Sequence, residues 1–89
     1  MEIIILDCMK MTSREVMYNY IESVMRLPDY FGHNLDALAD CLGELGRDVI
    51  IVLYNYEYLE KNLDKYGLKV LKVFSDASQE DYSFTLILK

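Results

Sequence analysis

Val49-Ile50-Ile51-Val52-Leu53 is a run of five apolar residues, four of them β-branched. Its hydrophobicity is continuous rather than alternating. Such a run reads as a strand buried on both faces, the mark of a parallel sheet. Two similar runs lie outward from it, Ile3-Ile4-Ile5-Leu6 towards the start and Phe84-Thr85-Leu86-Ile87-Leu88 towards the end.

The segments between the runs read as helices. Thr12-Ser13-Arg14-Glu15 carries the capping-box pattern, with Thr12 as N-cap and Glu15 at the third helical position. The helix it opens places Val16, Tyr20, Ile21 and Val24 on one face, widened by Met17 and Met25, and Pro28 stops it. A short second helix follows and ends at Gly46-Arg47-Asp48. Asn55 can cap a third, with Tyr56, Leu59 and Leu63 facing inward, and Gly67 breaks it. A fourth, from about 68 to 80, turns Val70, Leu71, Phe74 and Ala77 inward and leaves Lys65, Lys69 and Lys72 outside. The order β-α-α-β-α-α-β implies parallel strands joined by right-handed crossovers. The expected fold is therefore α/β, a three-stranded parallel sheet with about four helices in a single domain over residues 1–89. The helices should cover one face mainly. The other face is equally apolar and also needs cover, with the second helix at the end or edge of the sheet.

With 89 residues the chain can bury one core. Its composition is 53% hydrophobic, with eight Tyr and no Trp, which is that of a folded globular protein. The net charge of −6 argues against direct binding to nucleic acid, which relies on Lys and Arg displacing counterions. It permits a basic protein partner. No signal peptide or membrane-spanning stretch is visible, so the cytoplasm is the expected location. Cys8 and Cys41 could form one disulfide, but nothing requires it.

The second helix belongs to the most unusual stretch, Leu27 to Leu45. It holds the only proline and the only histidine, and it has four carboxylates with no Lys or Arg. Pro28 and Gly32 mark a turn, and Asn34 is a good N-cap for the helix that follows. On a wheel of ~100° per residue, Leu35, Leu38, Cys41, Leu42 and Leu45 share one apolar arc. Asp36, Asp40 and Glu44 lie together on another, bordered by Ala39 and Gly43. Like charges at i, i+4 and i+8 cost a helix roughly 0.2–0.5 kcal/mol per pair. An acidic row of this kind is as often an ordinary solvated face as a binding surface. The lack of any interleaved base favours a surface that receives a cationic partner. Tyr30 and Phe31 could both pack as a plug behind Pro28. Alternatively Phe31 turns inward and Tyr30 presents its ring beside the acids, as tyrosines do at binding hot spots.

No enzyme signature rises above the background, and no catalytic residue, cofactor or metal is expected. Asp36 and Asp40 project from one helix face, whereas paired glycosidase carboxylates flank a bond from opposite sides. Cys41 points into the core, away from Asp36, so His33, Cys41 and an Asp do not assemble a thiol nucleophile. One His and two Cys lack zinc-site spacing, and phosphate-cradling glycine patterns are absent. His33 reads as a loop residue beside a cap.

The stretch Leu27-Pro28-Asp29-Tyr30-Phe31-Gly32-His33-Asn34-Leu35-Asp36-Ala37-Leu38-Ala39-Asp40-Cys41-Leu42 closely resembles the signature of the barstar family, small intracellular inhibitors of bacterial ribonucleases. Chain length and element order resemble that family as well. The resemblance implies that the loop and acidic helix, residues 30–44, plug the cationic active site of a barnase-type ribonuclease as a phosphate mimic. Asp40 would take the place of the RNA phosphate, Asp36 would meet a second cationic group, and Tyr30 would pack on the catalytic histidine. Asn34, Leu35, Ala39, Gly43 and Glu44 would fill in around them, and Asp76 would supply an outlying acidic contact. A well-known family member has Trp where this chain has Ala39, another Trp near Leu45, and Glu in place of Asp76. The cognate nuclease can therefore differ from barnase. The expected partner is a basic secreted ribonuclease, bound by a chain that is a monomer when free. The alternative is an acidic immunity module that neutralises a different toxin or nuclease with a basic cleft.

Overall fold

In the computed structural model, which describes Met1 to Lys89, the three apolar runs form β1 (Glu2–Asp7), β2 (Val49–Tyr54) and β3 (Thr85–Leu88). They make one parallel sheet in the order β1-β2-β3, with β2 central. Three helices connect them: α1 (Arg14–Met25), α2 (Leu35–Gly43) and α3 (Tyr58–Ser78). The architecture is the α/β, three-stranded parallel sheet read from the sequence, and a backbone break at Asp64 divides α3 into two helical pieces, which accounts for the expected count of about four helices.

The sheet is covered on one face only. Ile4, Leu6, Ile51 and Leu53 are buried and join a single core cluster with residues of all three helices. On the other face Ile3 and Ile5 are 60% and 57% exposed. The expectation of burial on both faces therefore fails. The cause lies in the layering. α1 packs against β1 and α3 against β3, while α2 packs on α3 instead of crossing the sheet. No element remains to cover the second face.

Local chemistry explains where the helices depart from expectation. Ser13, not Thr12, is the N-cap of α1, and its Oγ accepts from the Val16 N–H at 3.1 Å. Glu15 then stands at the second helical position, so no reciprocal capping box forms. Met17, Tyr18 and Ile21 are buried, whereas Val16 and Val24 are exposed. The large Tyr18 ring can go inside because its hydroxyl is hydrogen-bonded to that of Tyr66. The end of α1 precedes Pro28. Arg26 adopts a left-handed conformation (φ 56°, ψ 47°), and the Leu27 N–H donates to the Glu22 carbonyl at 3.0 Å. The Arg26 N–H donates to the Ser23 carbonyl, completing a paired closure usually built on glycine.

The two helices expected after β2 form one segment, α3, interrupted at Asp64 (φ 54°, ψ −134°) rather than at Gly67. Gly67 is buried inside the second half. A Cβ there would stand 1.9 Å from the Leu59 carbonyl oxygen, so glycine lets the two halves cross in contact. Asn55 is not a cap. It takes a left-handed conformation and its amide donates to Asp7 Oδ1 at 3.1 Å, while α3 starts with no side-chain cap. Tyr56 is exposed rather than inward, but Leu59, Val70 and Phe74 are buried and Lys65, Lys69 and Lys72 exposed, as read.

Candidate functional site

The loop between α1 and α2 partitions its two aromatics. The Phe31 N–H donates to the Pro28 carbonyl at 2.9 Å, forming a tight turn that points Phe31 into the core. Tyr30 is left 88% exposed. Asn34 then opens α2, its Oδ1 accepting from the Ala37 N–H at 2.8 Å. Leu38 and Leu42 are fully buried and fix the rotation of α2, so its opposite side faces solvent. Asp36, Ala39, Asp40, Gly43 and Glu44 are all exposed on it, and Leu35 is half-buried at its border. α2 ends at Gly43, earlier than Leu45. Glu44 is the C-cap in near-helical geometry and keeps the row intact.

The row is electrostatically unmatched. The molecule holds one Lys–carboxylate ion pair, Lys72 with Asp76, and a hydrogen bond between His33 and Glu22. Neither involves Asp36, Asp40 or Glu44. Asp36 suits the positive end of the helix dipole, but no base stands in the last turn of α2 to balance Glu44. Asp76 is the exception among the expected contact residues. It lies on α3, its carboxylate 2.9 Å from the Lys72 ammonium, and is not part of the α2 row.

Two grooves flank the row. One, of about 490 Å³, runs between the loop and the far half of α2. Leu27, Pro28, Phe31 and Ala37 give it apolar walls, and Tyr30, Asp40 and Glu44 line it as well. It offers an apolar slot beside two carboxylates, suited to a ring or long side chain that ends in positive charge. The other, of about 700 Å³, lies at the start of α2 and is lined by Arg14, Tyr18, His33, Asn34, Asp36 and Tyr66 among others. The Arg14 guanidinium lies 3.8 Å from the centre of the Tyr66 ring there.

His33 lines the groove at the start of α2 and ties the loop down. Its Nε2 is 2.7 Å from Glu22 Oε1 on α1, and its ring stacks on Tyr18 with centroids 5.7 Å apart. It also meets Phe31 at 5.5 Å. Sequence reasoning had no signal for this link, because Glu22 and His33 are neighbours only in the folded chain.

Neither cysteine is placed for chemistry. Burial, and after it Asp7 and Glu57, push the Cys8 thiol from 9.0 up to about 12. Burial, with Glu44 and Asp40, also raises the Cys41 thiol. Both sulfurs are free and keep their protons at neutral pH. No group of three or more His, Cys, Asp or Glu side chains converges to hold a metal ion. No helix is long and apolar enough to cross a membrane.

Comparison with known proteins adds two findings. The family described as Barstar (barnase inhibitor) matches the chain over residues 1–89. A protein of Bacillus subtilis strain 168 named "Putative ribonuclease inhibitor YrdF" is 37% identical over 78 residues, covering 86% of each chain.

Proposed function

The chain belongs to the barstar family, and on that premise we propose that it is a protein inhibitor of a ribonuclease rather than an enzyme. The observation that carries this reading is the unmatched row of Asp36, Asp40 and Glu44 beside the exposed Tyr30. A ribonuclease active site must be cationic to hold and stabilise phosphate. A helix that offers carboxylates with no partners of their own can enter such a site as a polyanion decoy. Asp40, at the groove beside Tyr30, takes the phosphate position, and Asp36 meets a second cation. Tyr30 covers the nuclease histidine. Asn34, Leu35, Ala39, Gly43 and Glu44 complete the contact, with Asp76 at its edge once Lys72 releases it. The partner is a basic, secreted nuclease of the barnase type, restrained in the cytoplasm before export.

The test is stoichiometric inhibition. Titration into a barnase-type ribonuclease should abolish RNA cleavage at equivalence. Asp36→Asn combined with Asp40→Asn should weaken inhibition by on the order of 10²-fold or more, since breaking a buried ion pair costs about 3–5 kcal/mol. Folding stability should stay unchanged or rise slightly, because the like-charge pair is relieved. Undiminished cleavage with the unaltered chain at micromolar excess would refute the barnase-type assignment. In a second reading the acidic face neutralises a different toxin with a basic cleft. The small Ala39 at the centre of the face favours it, since it leaves room for a bulkier partner surface.

A further inference from the structure

The groove at the start of α2 holds a charge that the acidic row does not explain. Arg14 is the only Lys or Arg that lines either groove beside the row. It has no carboxylate partner, although Glu15 and Asp36 line the same groove. Its guanidinium lies instead over the half-buried Tyr66 ring, 3.8 Å from the ring centre. Tyr66 is fixed in turn, because its hydroxyl is hydrogen-bonded to that of the buried Tyr18. A guanidinium held by its face over a ring keeps the N–H groups of its edge free to bind. Arg14 also opens α1, at the positive end of that helix's dipole, where a cation is disfavoured. Neither an internal ion pair nor the needs of the helix account for a cation at this place.

Resting on the inhibitor reading, we propose that Arg14 is a specificity-determining residue, which grips a carboxylate on the ribonuclease surface beside the cationic cleft. The chemistry of the fork selects this occupant. A planar guanidinium takes a carboxylate through two parallel N–H···O bonds. A phosphate would bring more negative charge into a groove that Asp36 and Glu15 already line. The position of Arg14 gives the grip its use. A face made only of acids accepts any basic cleft. A cation at the edge of that face repels every cleft that lacks an anion at the matching place, so the contact discriminates by repulsion as well as by attraction. Asp36 and Arg14 together then read an ordered pair of opposite charges on the partner, which fixes the direction in which α2 enters.

Binding of charge variants to a barnase-type ribonuclease at fixed ionic strength tests the proposal, because it and general electrostatic attraction predict opposite signs. Arg14→Glu makes a chain of charge −6 more acidic by two. General attraction to a basic nuclease would then tighten binding, whereas loss of the carboxylate grip should raise the dissociation constant about tenfold or more. The variant should fold, with unchanged circular dichroism, since Arg14 is exposed and an acid suits the first turn of α1. Arg47→Glu is the control. Arg47 is stacked on Tyr82, with its guanidinium 4.7 Å from the ring centre, but lines neither groove, so the same change of charge there should leave binding equal or tighter. Arg14→Lys keeps the charge without the fork and should fall between the unaltered chain and Arg14→Glu. Amide replacement of the nuclease carboxylates around the cleft, one at a time, should find one whose loss is non-additive with Arg14→Gln by about tenfold. Binding of Arg14→Glu as tight as that of the unaltered chain overturns the proposal, and so does the absence of any coupled carboxylate. An unaltered chain that leaves RNA cleavage undiminished is a different failure. It removes the inhibitor reading itself, and the role of Arg14 falls with it.

Discussion

His33 joins two parts of the chain that lie eleven residues apart. It holds the loop carrying Tyr30 against α1 through Glu22 and through its stack on Tyr18. Replacing it with Gln keeps a polar group but removes the ring. His33→Gln should lower inhibitor affinity several-fold, chiefly through faster dissociation, while costing less than about 1 kcal/mol of stability, as for an exposed pair. Surface plasmon resonance and urea unfolding measure the two effects. Cys8 makes a prediction about pH. Its thiol is raised from 9.0 to about 12 in the folded chain by burial, then by Asp7 and Glu57. The unfolded chain releases that proton first. The stabilisation is therefore complete below about pH 9 and is lost as pH rises towards 12. Urea midpoints should fall over that window, and Cys8→Ala should flatten part of the fall. At this scale the sequence was informative wherever the cause is local. The Asn34 cap, the inward Phe31 and the outward Tyr30 all follow from neighbours within a few positions. The partners of His33 and Tyr18 do not, since only the fold brings Glu22 and Tyr66 to them.

The helices show the same divide between local and tertiary causes. α2 was legible because its apolar arc and its acidic row are both written at helical spacing. The rotation of α1 was not, because it turns on whether the Tyr18 hydroxyl finds a partner on α3. The break in α3 was misplaced for an instructive reason. Glycine reads as a breaker, yet Gly67 is helical and is present for close approach to Leu59, while Asp64 carries the non-helical backbone. Gly67→Ala should therefore destabilise the chain by about 1–3 kcal/mol, despite the better intrinsic helix propensity of alanine. Asp64→Gly should act in the opposite direction, recovering about 1 kcal/mol from a strained conformation. Thermal or urea unfolding of the two variants checks both signs. A neutral Gly67→Ala would mean that the two halves of α3 do not touch there.

For the molecule as a whole, charge and hydrophobicity are segregated. The acidic row lies on the helical side, and the bare apolar face lies on the far side of the sheet. On the proposed function, this segregation makes the association rate with a basic nuclease sensitive to salt. The rate should fall roughly 10–10³-fold from low to high ionic strength, as the screening length shrinks from about 10 Å at 0.1 M to 3 Å at 1 M. Dissociation should change far less. Stopped-flow mixing across a salt series measures both, and an association rate indifferent to salt would count against electrostatic steering. The parallel order of the sheet was legible from three continuous apolar runs. The bareness of one face was not, because continuous hydrophobicity in a strand says that both faces are apolar and not that the same chain covers both. The central position of β2 has a cost during synthesis. The ribosome delivers β2 long before β3, with Asn55 to Phe84 still to be added. At roughly 5–20 residues per second, the nascent chain spends seconds with one apolar strand edge unpaired. Such an edge is a template for pairing with a neighbouring polypeptide. Slow induction and low temperature should therefore raise the yield of correctly folded protein.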